Sequence, residues 1–335
     1  MILRILGLVA TIFAAIGVGV HFLGPVSTVV TLLASFSPLF VVLAVVAAAV
    51  SAVARFWPAA LAALIVVVVG VAAQLPLFLG SPPAAADDVP KIKLLQANIR
   101  LGEADPQALV SRVRSDRVDV LTVAELTAEA VDGLAAAGLD RALPFSYLRP
   151  REGGGGEGIY ARYPLRDTEL LPGLQHNNLR ATVVVQGATP FAVYALHPLP
   201  PYPEPAWRWA LELDRIAAIL EADRRPLIVG ADFNSTYDHE RYRNLLDAGG
   251  RDGLNLIDSA DYLGAGIVAT YPADKWYPAV LAIDRILTRG GTPLSFGRVD
   301  LPGSDHHAVM GEVLLAAVDQ RRDRAAAIMS TMRAT

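Results

Sequence analysis

Eight polar side chains stand at or near the ends of short apolar segments: Asn98, Glu125, His197, Asp232, Asn234, Asp284, Asp305 and His306. Carboxylate and carboxamide oxygens with imidazole nitrogens are the groups that hold hard cations, move protons and hydrogen-bond anions. Any one Asp, Asn or His after a strand is explained as a turn former. Eight in one chain point instead to side chains gathered on one rim of a strand scaffold. The 335 residues include no cysteine, so a disulfide, a zinc-thiolate site and a thiol nucleophile are excluded.

The elements that must position these groups begin at Lys91. Short β-type runs alternate there with amphipathic helical ones, which is α/β or α+β patterning. Strands read at 92–98, 118–124, 158–161, 181–185, 191–196, 227–230, 282–287 and 308–313. Helices read at 105–115, 128–137, 204–222 and 239–248, the third entered through Pro203 and Pro205. The four glycines Gly153 to Gly156 lack the lysine context of a phosphate cradle and read as a flexible connector.

Residues before this region have a different character. The chain is 53% hydrophobic with a mean hydropathy of +0.40, and residues 1–86 hold only Arg4, His21 and Arg55 as ionisable side chains. Apolar runs at 5–23, 29–53 and 59–79 each approach the ~20 residues that cross hydrocarbon as a helix. Pro38 falls inside the second run, where it kinks a helix or starts one. A cleaved signal peptide accounts for the first run and not for the next two. The division is therefore a three-span transmembrane anchor at 1–80, a linker rich in Ser, Pro, Ala and Asp at 81–90, one large domain at 91–316 and a tail at 317–335 that reads as a solvated or frayed helix.

Arg4 and Arg55 flank the first two spans on one side, which places the N-terminus in the cytoplasm and, after three spans, the large domain outside it. The expected location is thus the cell membrane, multi-pass, with an extracytoplasmic domain. Without those two arginines, 27 basic residues face 33 acidic ones. This weighs against a dedicated nucleic-acid binder. Three spans without an ionisable residue, His21 near an end excepted, do not suit a transporter.

Within 91–316 the ordered segments Gln96-Ala-Asn98, Ala124-Glu125-Leu126, Tyr160-Ala-Arg162-Tyr-Pro164, Leu196-His197, Gly230-Ala-Asp232-Phe-Asn234, Thr270-Tyr-Pro272, Ile283-Asp284-Arg-Ile-Leu287 and Gly303-Ser-Asp305-His306-His307 resemble the endonuclease/exonuclease/phosphatase superfamily. That group includes deoxyribonuclease I, apurinic endonucleases, inositol polyphosphate 5-phosphatases and neutral sphingomyelinases; in its apolar N-terminal spans the chain is similar to membrane-anchored bacterial members. The resemblance implies a four-layer αββα sandwich of the deoxyribonuclease I-like type and hydrolysis of phosphoesters with Mg²⁺ or Mn²⁺. It implies Glu125 as principal metal ligand, completed by Asn98 and Asp305. It gives His306 the catalytic histidine's role, with Asp284 holding its tautomer. Asp232 orients or deprotonates the attacking water, while Asn234 and His197 donate to phosphoryl oxygens; either Asp232 or His306 is the base. Arg180 is a weaker phosphate contact, His307 is weaker still, and Arg162 supports the fold.

This chain has Ala97 where many relatives place an aromatic residue, and Tyr271 where Trp is common. The prolines of His197-Pro-Leu-Pro-Pro201-Tyr-Pro203 stiffen the chain beside the site and are expected to shape a rim of the cleft. The expected function is a membrane-anchored phosphoester hydrolase for lipid-linked or small substrates. A membrane-held nuclease and a non-catalytic binding module are the alternatives. The expected partners are the bilayer and the phosphoester, with no protein partner evident.

Overall fold

The computed structural model describes residues 1–24, 27–81, 89–247 and 255–315. Most of the linker at 81–90, the tail at 317–335 and the last residue of the helix expected at 239–248 lie outside them.

Two six-stranded sheets form the large domain. The first is built from β1 (Lys91–Asn98), β2 (Val120–Ala124), β3 (Phe145–Arg149), β4 (Glu157–Ala161), β11 (Thr292–Val299) and β12 (Ala308–Leu314), in the order β11-β12-β1-β2-β4-β3. The second is built from β5 (Leu165–Leu170), β6 (Leu179–Val183), β7 (Phe191–Leu196), β8 (Leu227–Asp232), β9 (Ile257–Asp258) and β10 (Asp284–Arg289), in the order β5-β6-β7-β8-β10-β9. Each sheet has one parallel central pair, β1 with β2 and β7 with β8. Ile92, Leu94, Val193, Ile228 and Ile286 are among the apolar side chains buried between the sheets, so central strands read as continuous apolar runs. A Cβ at Gly230 would collide with Thr122 Oγ1 of the facing sheet, which explains glycine at that close approach.

Helices cover the outer faces. On the first sheet lie α5 (Pro106–Ser115), α6 (Ala128–Ala137) and the short α7 (Leu139–Ala142), which bury Leu109, Val113, Leu134 and Leu139 against Leu95 and Leu121. Asp105 caps α5 by accepting from the backbone N–H groups of Gln107 and Ala108, and Pro106 occupies its first turn. On the second sheet lie α8 (Ala206–Ala222) and α9 (Glu240–Leu246), whose Trp209, Leu213, Ile216 and Tyr242 pack on Tyr194 and Val229. The helix–sheet–sheet–helix layering is the sandwich expected from the sequence.

The anchor departs from three straight spans. Helix α1 (Ile2–Gly19) with its short extension to Phe22, and α4 (Trp57–Gln74) with its extension to Phe78, are each long and apolar enough to cross a membrane. The middle run is broken into α2 (Thr28–Ser35) and α3 (Ser37–Val53), bent by 71°. Ser27 caps the start of α2, and Pro38, which has no N–H to donate, sits in the first turn of α3. Among the described residues two helices are thus long and apolar enough to cross a membrane, or three if the bent pair is one span. Helices α1, α3 and α4 pack through small buried residues, Ala14, Ala44, Ala47 and Ala63, the packing that suits helices in lipid.

The anchor's domain-side ends are hydrogen-bonded to the sandwich. Asp238 accepts from His21 Nδ1 at 2.8 Å and from Gln74 Nε2 at 2.6 Å. His239 Nε2 lies 3.0 Å from the carbonyl of Thr31 and 3.3 Å from Ser35 Oγ. The N–H of Ala206 reaches Thr28 Oγ1 at 3.2 Å. Thus α2 lies against the catalytic domain, beside α8, instead of continuing the bundle.

Candidate active site

Strand register gathers the polar residues on one rim. Asn98, the last residue of β1, pairs with Ala124, so Glu125 follows at the same level. Ala124 pairs in turn with Glu157 at the start of antiparallel β4. In the second sheet Asp232 closes β8 directly opposite Asp284, which opens β10, and His197 follows the last residue of β7. Asp305 and His306 precede β12.

The side chains form one hydrogen-bonded cluster. Asn98 Nδ2 donates to Glu125 Oε1 and to Asp232 Oδ2, both at 3.0 Å, while its Oδ1 accepts from the N–H of Arg100 at 2.9 Å. Glu125 Oε2 accepts from the N–H of Leu101. His306 Nδ1 meets Asp284 Oδ2 at 2.9 Å, and its Nε2 lies 3.8 Å from Asp232 Oδ2. His197 Nε2 lies 3.7 Å from the same Asp232 oxygen, and Asn234 donates its backbone N–H to Asp232 Oδ1 at 2.9 Å. Glu125 and Asn234 hold left-handed backbone conformations, φ 61° and 50°, strain of the kind that persists where surrounding contacts over-determine it.

Glu157 was not marked in the sequence. Its carboxyl group is 1% exposed, has no hydrogen-bond partner on either oxygen, and lies 3.7 Å from the unpartnered Nδ1 of His197. A second carboxylate–imidazole pair therefore mirrors Asp284–His306 across Asp232. The signal was available: a polar residue opening a strand antiparallel to β2 must share the rim on which β2 ends. His176 was also missed. Its ring packs at a tilt against that of His197, centroids 4.7 Å apart, and its Nδ1 lies 3.1 Å from the carbonyl of His197.

Electrostatics separate the groups. Burial raises the pKa of Glu157, and the charges of Asp232 and Glu125 raise it further. Burial and the neighbouring His197 lower His176 to about 4. Burial opposes charge on His306, but the carboxylates of Asp284 and Asp232 outweigh it and push its pKa up to about 10. Asp284 is itself raised by burial, against the pull of His306.

The cluster opens into a cavity of about 630 Å³ lined by Glu125, Asp232, Asn234, His197, Asp305 and His306 on its polar side. Leu199, Pro200, Pro201 and Tyr202 line it from the proline-rich segment, and Leu32 and Ser35 line it from α2. Gly153 and Gly154, expected as a plain connector, also line the wall. A Cβ at Gly156 would collide with the carbonyl of Leu126, so this glycine loop is packed beside Glu125. Six of the eight polar residues line the cavity, and the other two, Asn98 and Asp284, are hydrogen-bonded to its wall. Arg180 is not brought there: it pairs with Glu169 at 2.7 Å and approaches Asp223 at 3.9 Å. Arg162 bonds Asp119 and the carbonyl of Val118, a fold-supporting role. His307 pairs with Asp300.

Orphaned buried oxygens test whether a divalent cation suits this chemistry. Asp284 Oδ1 and both Glu157 oxygens lack partners, and five carboxylates surround two imidazoles. Ligand atoms of Asp232, Asp284 and His306 fall within 4.8 Å of one another. An oxygen-rich, net-negative site of this kind fits a hard cation. In cation-free protein His306 is expected to stay protonated through neutral pH. Its pairing energy is fully present below its ordinary value of about 6.5 and is lost as pH rises through about 10. Histidine NMR titration should show this, with Asp284→Asn lowering the midpoint; a wild-type midpoint near the ordinary value would contradict the pairing.

The profile of the Endonuclease/Exonuclease/phosphatase family matches residues 95–306. No curated protein matches the chain in sequence. Among solved structures the chain is similar to a humanized D. rerio TDP2 carrying 14 mutations, at 20% identity over 67% of this chain and 98% of that one, TM-score 0.54. It is likewise similar to an endonuclease/exonuclease/phosphatase from Bacteroides vulgatus, at 14% identity over 68% and 99%, TM-score 0.53. At these identities the likeness establishes the fold. With a profile match across most of the sandwich and the same architecture in solved relatives, the chain belongs to the endonuclease/exonuclease/phosphatase family.

Proposed function

We propose that the chain is a divalent-metal-dependent hydrolase of phosphoesters carried by membrane-borne molecules, anchored by three spans with its catalytic domain outside the cytoplasm. The observation that carries this reading is the composition of the cavity wall, where Leu32 and Ser35 of the apolar N-terminal region stand opposite the catalytic cluster. An amphiphile can place its phosphate among the polar groups and keep its apolar part beside α2. The acidic domain, without a basic track, does not favour polynucleotide.

Glu125, with Asn98 and Asp305, is proposed to hold Mg²⁺ or Mn²⁺. His306 is protonated beside Asp284 and so offers no lone pair to a cation, which favours Glu125 as the principal ligand over the tighter Asp232–Asp284–His306 group. The bound cation would neutralise phosphoryl charge. Asp232 accepts a hydrogen bond from the attacking water. His306, protonated and held by Asp284, donates toward the phosphoryl or leaving oxygen. Asn234 and His197 complete the donors around the phosphate. Glu157 fixes the orientation of His197.

Orientation is supported by Arg4, whose Nε donates to the carbonyl of Ala54, next to Arg55. Both arginines thus lie at the end of the bundle away from the sandwich, where positive charge marks the cytoplasmic side. An alkaline phosphatase fused after the domain should be active; an inactive fusion with a fluorescent cytoplasmic reporter at the same point would reverse the assignment.

Purified full-length protein with Mg²⁺ or Mn²⁺ should hydrolyse a polyprenyl phosphate in mixed micelles faster than a DNA duplex. Glu125→Ala should lower kcat by about 10²-fold or more, the scale of losing a preorganised electrostatic contact. No hydrolysis of any phosphoester, or an equally active Glu125→Ala, would end the hydrolase reading. Rapid DNA cleavage with indifference to lipid would establish the nuclease alternative.

A further inference from the structure

Outside the anchor helices, the large apolar side chains exposed among the described residues are not scattered. Of nine, six fall in three segments that border the anchor: Tyr202, Trp207 and Leu211; Ile267; and Trp276 with Tyr277. Each segment is tied to an apolar helix. The N–H of Ala206 bonds Thr28 of α2, the N–H of Gly266 bonds the carbonyl of Leu77 at 2.9 Å, and Val280 borders a small cavity together with Pro38 and Leu77.

The third segment is a hairpin. Tyr271 and Leu281 bridge its base, and both line the catalytic cavity. Its tip carries Trp276, 95% exposed, with Tyr277 packed edge-on at 5.5 Å and Lys275 beside them. An indole left this bare in water gains nothing from folding, whereas Trp and Tyr favour the boundary between headgroups and hydrocarbon. Across the cavity mouth Tyr202 is 65% exposed on the proline-stiffened segment.

We propose that the Trp276–Tyr277 tip, Tyr202 and Trp207 form an interfacial surface whose occupant is the lipid leaflet on the domain's side of the membrane. The surface continues the apolar helices laterally, past α2, to both sides of the cavity mouth. The mouth is thereby held against the leaflet, and a substrate phosphate enters from the headgroup layer. The contact also reaches the chemistry. The ring of Tyr271 at the hairpin base packs at a tilt on His306, centroids 4.8 Å apart, and the N–H of Ala273 donates to the carbonyl of Asp305 at 2.7 Å. This inference rests on the apolar helices spanning the bilayer and, for entry of substrate, on the hydrolase reading.

Full-length protein reconstituted in nanodiscs of brominated and of unbrominated phosphatidylcholine separates these claims, because indole quenching needs no turnover. The fluorescence contributed by Trp276, taken as wild type minus Trp276→Phe, should be blue-shifted and quenched by the brominated lipid. A contribution at the wavelength of a water-exposed indole, unquenched by brominated lipid, would overturn the surface, whether the tip then meets solvent, protein or a second copy. Trp276→Ser with Tyr277→Ser should lower turnover of a nanodisc-borne phosphoester several-fold and leave a short water-soluble phosphoester unchanged. Equal loss on both substrates would overturn entry from the leaflet while leaving the hydrolase assignment intact.

Discussion

Eight residues, Asp232 to His239, join the chemistry to the anchor. Asp232 and Asn234 stand in the polar cluster that lines the cavity, while Asp238 and His239 bind His21, Gln74, Thr31 and Ser35 of the apolar helices. A buried polar group without a partner costs on the order of 1–3 kcal/mol, so the docking of anchor and sandwich gives His21 Nδ1, the Gln74 amide nitrogen and Asp238 their partners. Burial lowers His239 to about 4, so it stays neutral and keeps its contacts with α2 across the physiological range. The 71° bend at Pro38 follows from this docking: α2 must lie along the domain before α3 can turn away.

Crowded carboxylates impose the second constraint. Asp232 accepts from Asn98 and from the N–H of Asn234, and it faces His197 and His306 from 3.7 and 3.8 Å. The two imidazoles are each backed by a further carboxylate, Glu157 and Asp284. Such a site holds its shape through register: Asp232 lies opposite Asp284, and Glu157 opposite Ala124. The left-handed conformations of Glu125 and Asn234 turn each chain sharply at the rim, and the sandwich offsets that strain elsewhere.

How much was legible in the sequence follows from the same geometry. Central strands such as 92–98 and 191–196 are buried on both faces and announce themselves as apolar runs. The strands that escaped notice, β3, β5, β9 and β11, are the four sheet edges, and their half-exposed patterns carry polar residues that mask a strand signal. Helix 128–137 is found as expected because Thr127 caps it and Gly138 ends it at φ 88°. The residues at strand ends were legible as a site, but Glu157 was not, since it opens its strand instead of closing or following one. Arg180 looked available and is instead paired within the second sheet. Leu32 and Ser35 gave no sign, because a wall contributed from a distant part of the chain leaves no local pattern.

The family fold supplies the cluster, and the docked helix α2 supplies a wall that closes one side of it. The central claim is that anchor and catalytic domain share this cavity, and the absence of native cysteine makes it directly testable. Thr28→Cys and Ala206→Cys replace two residues whose Oγ1 and N lie 3.2 Å apart. Oxidation in native membranes should give an intramolecular disulfide in the double variant and in neither single variant. Failure of the double variant to cross-link, with both cysteines shown by labelling to be present and reduced, would contradict the shared cavity.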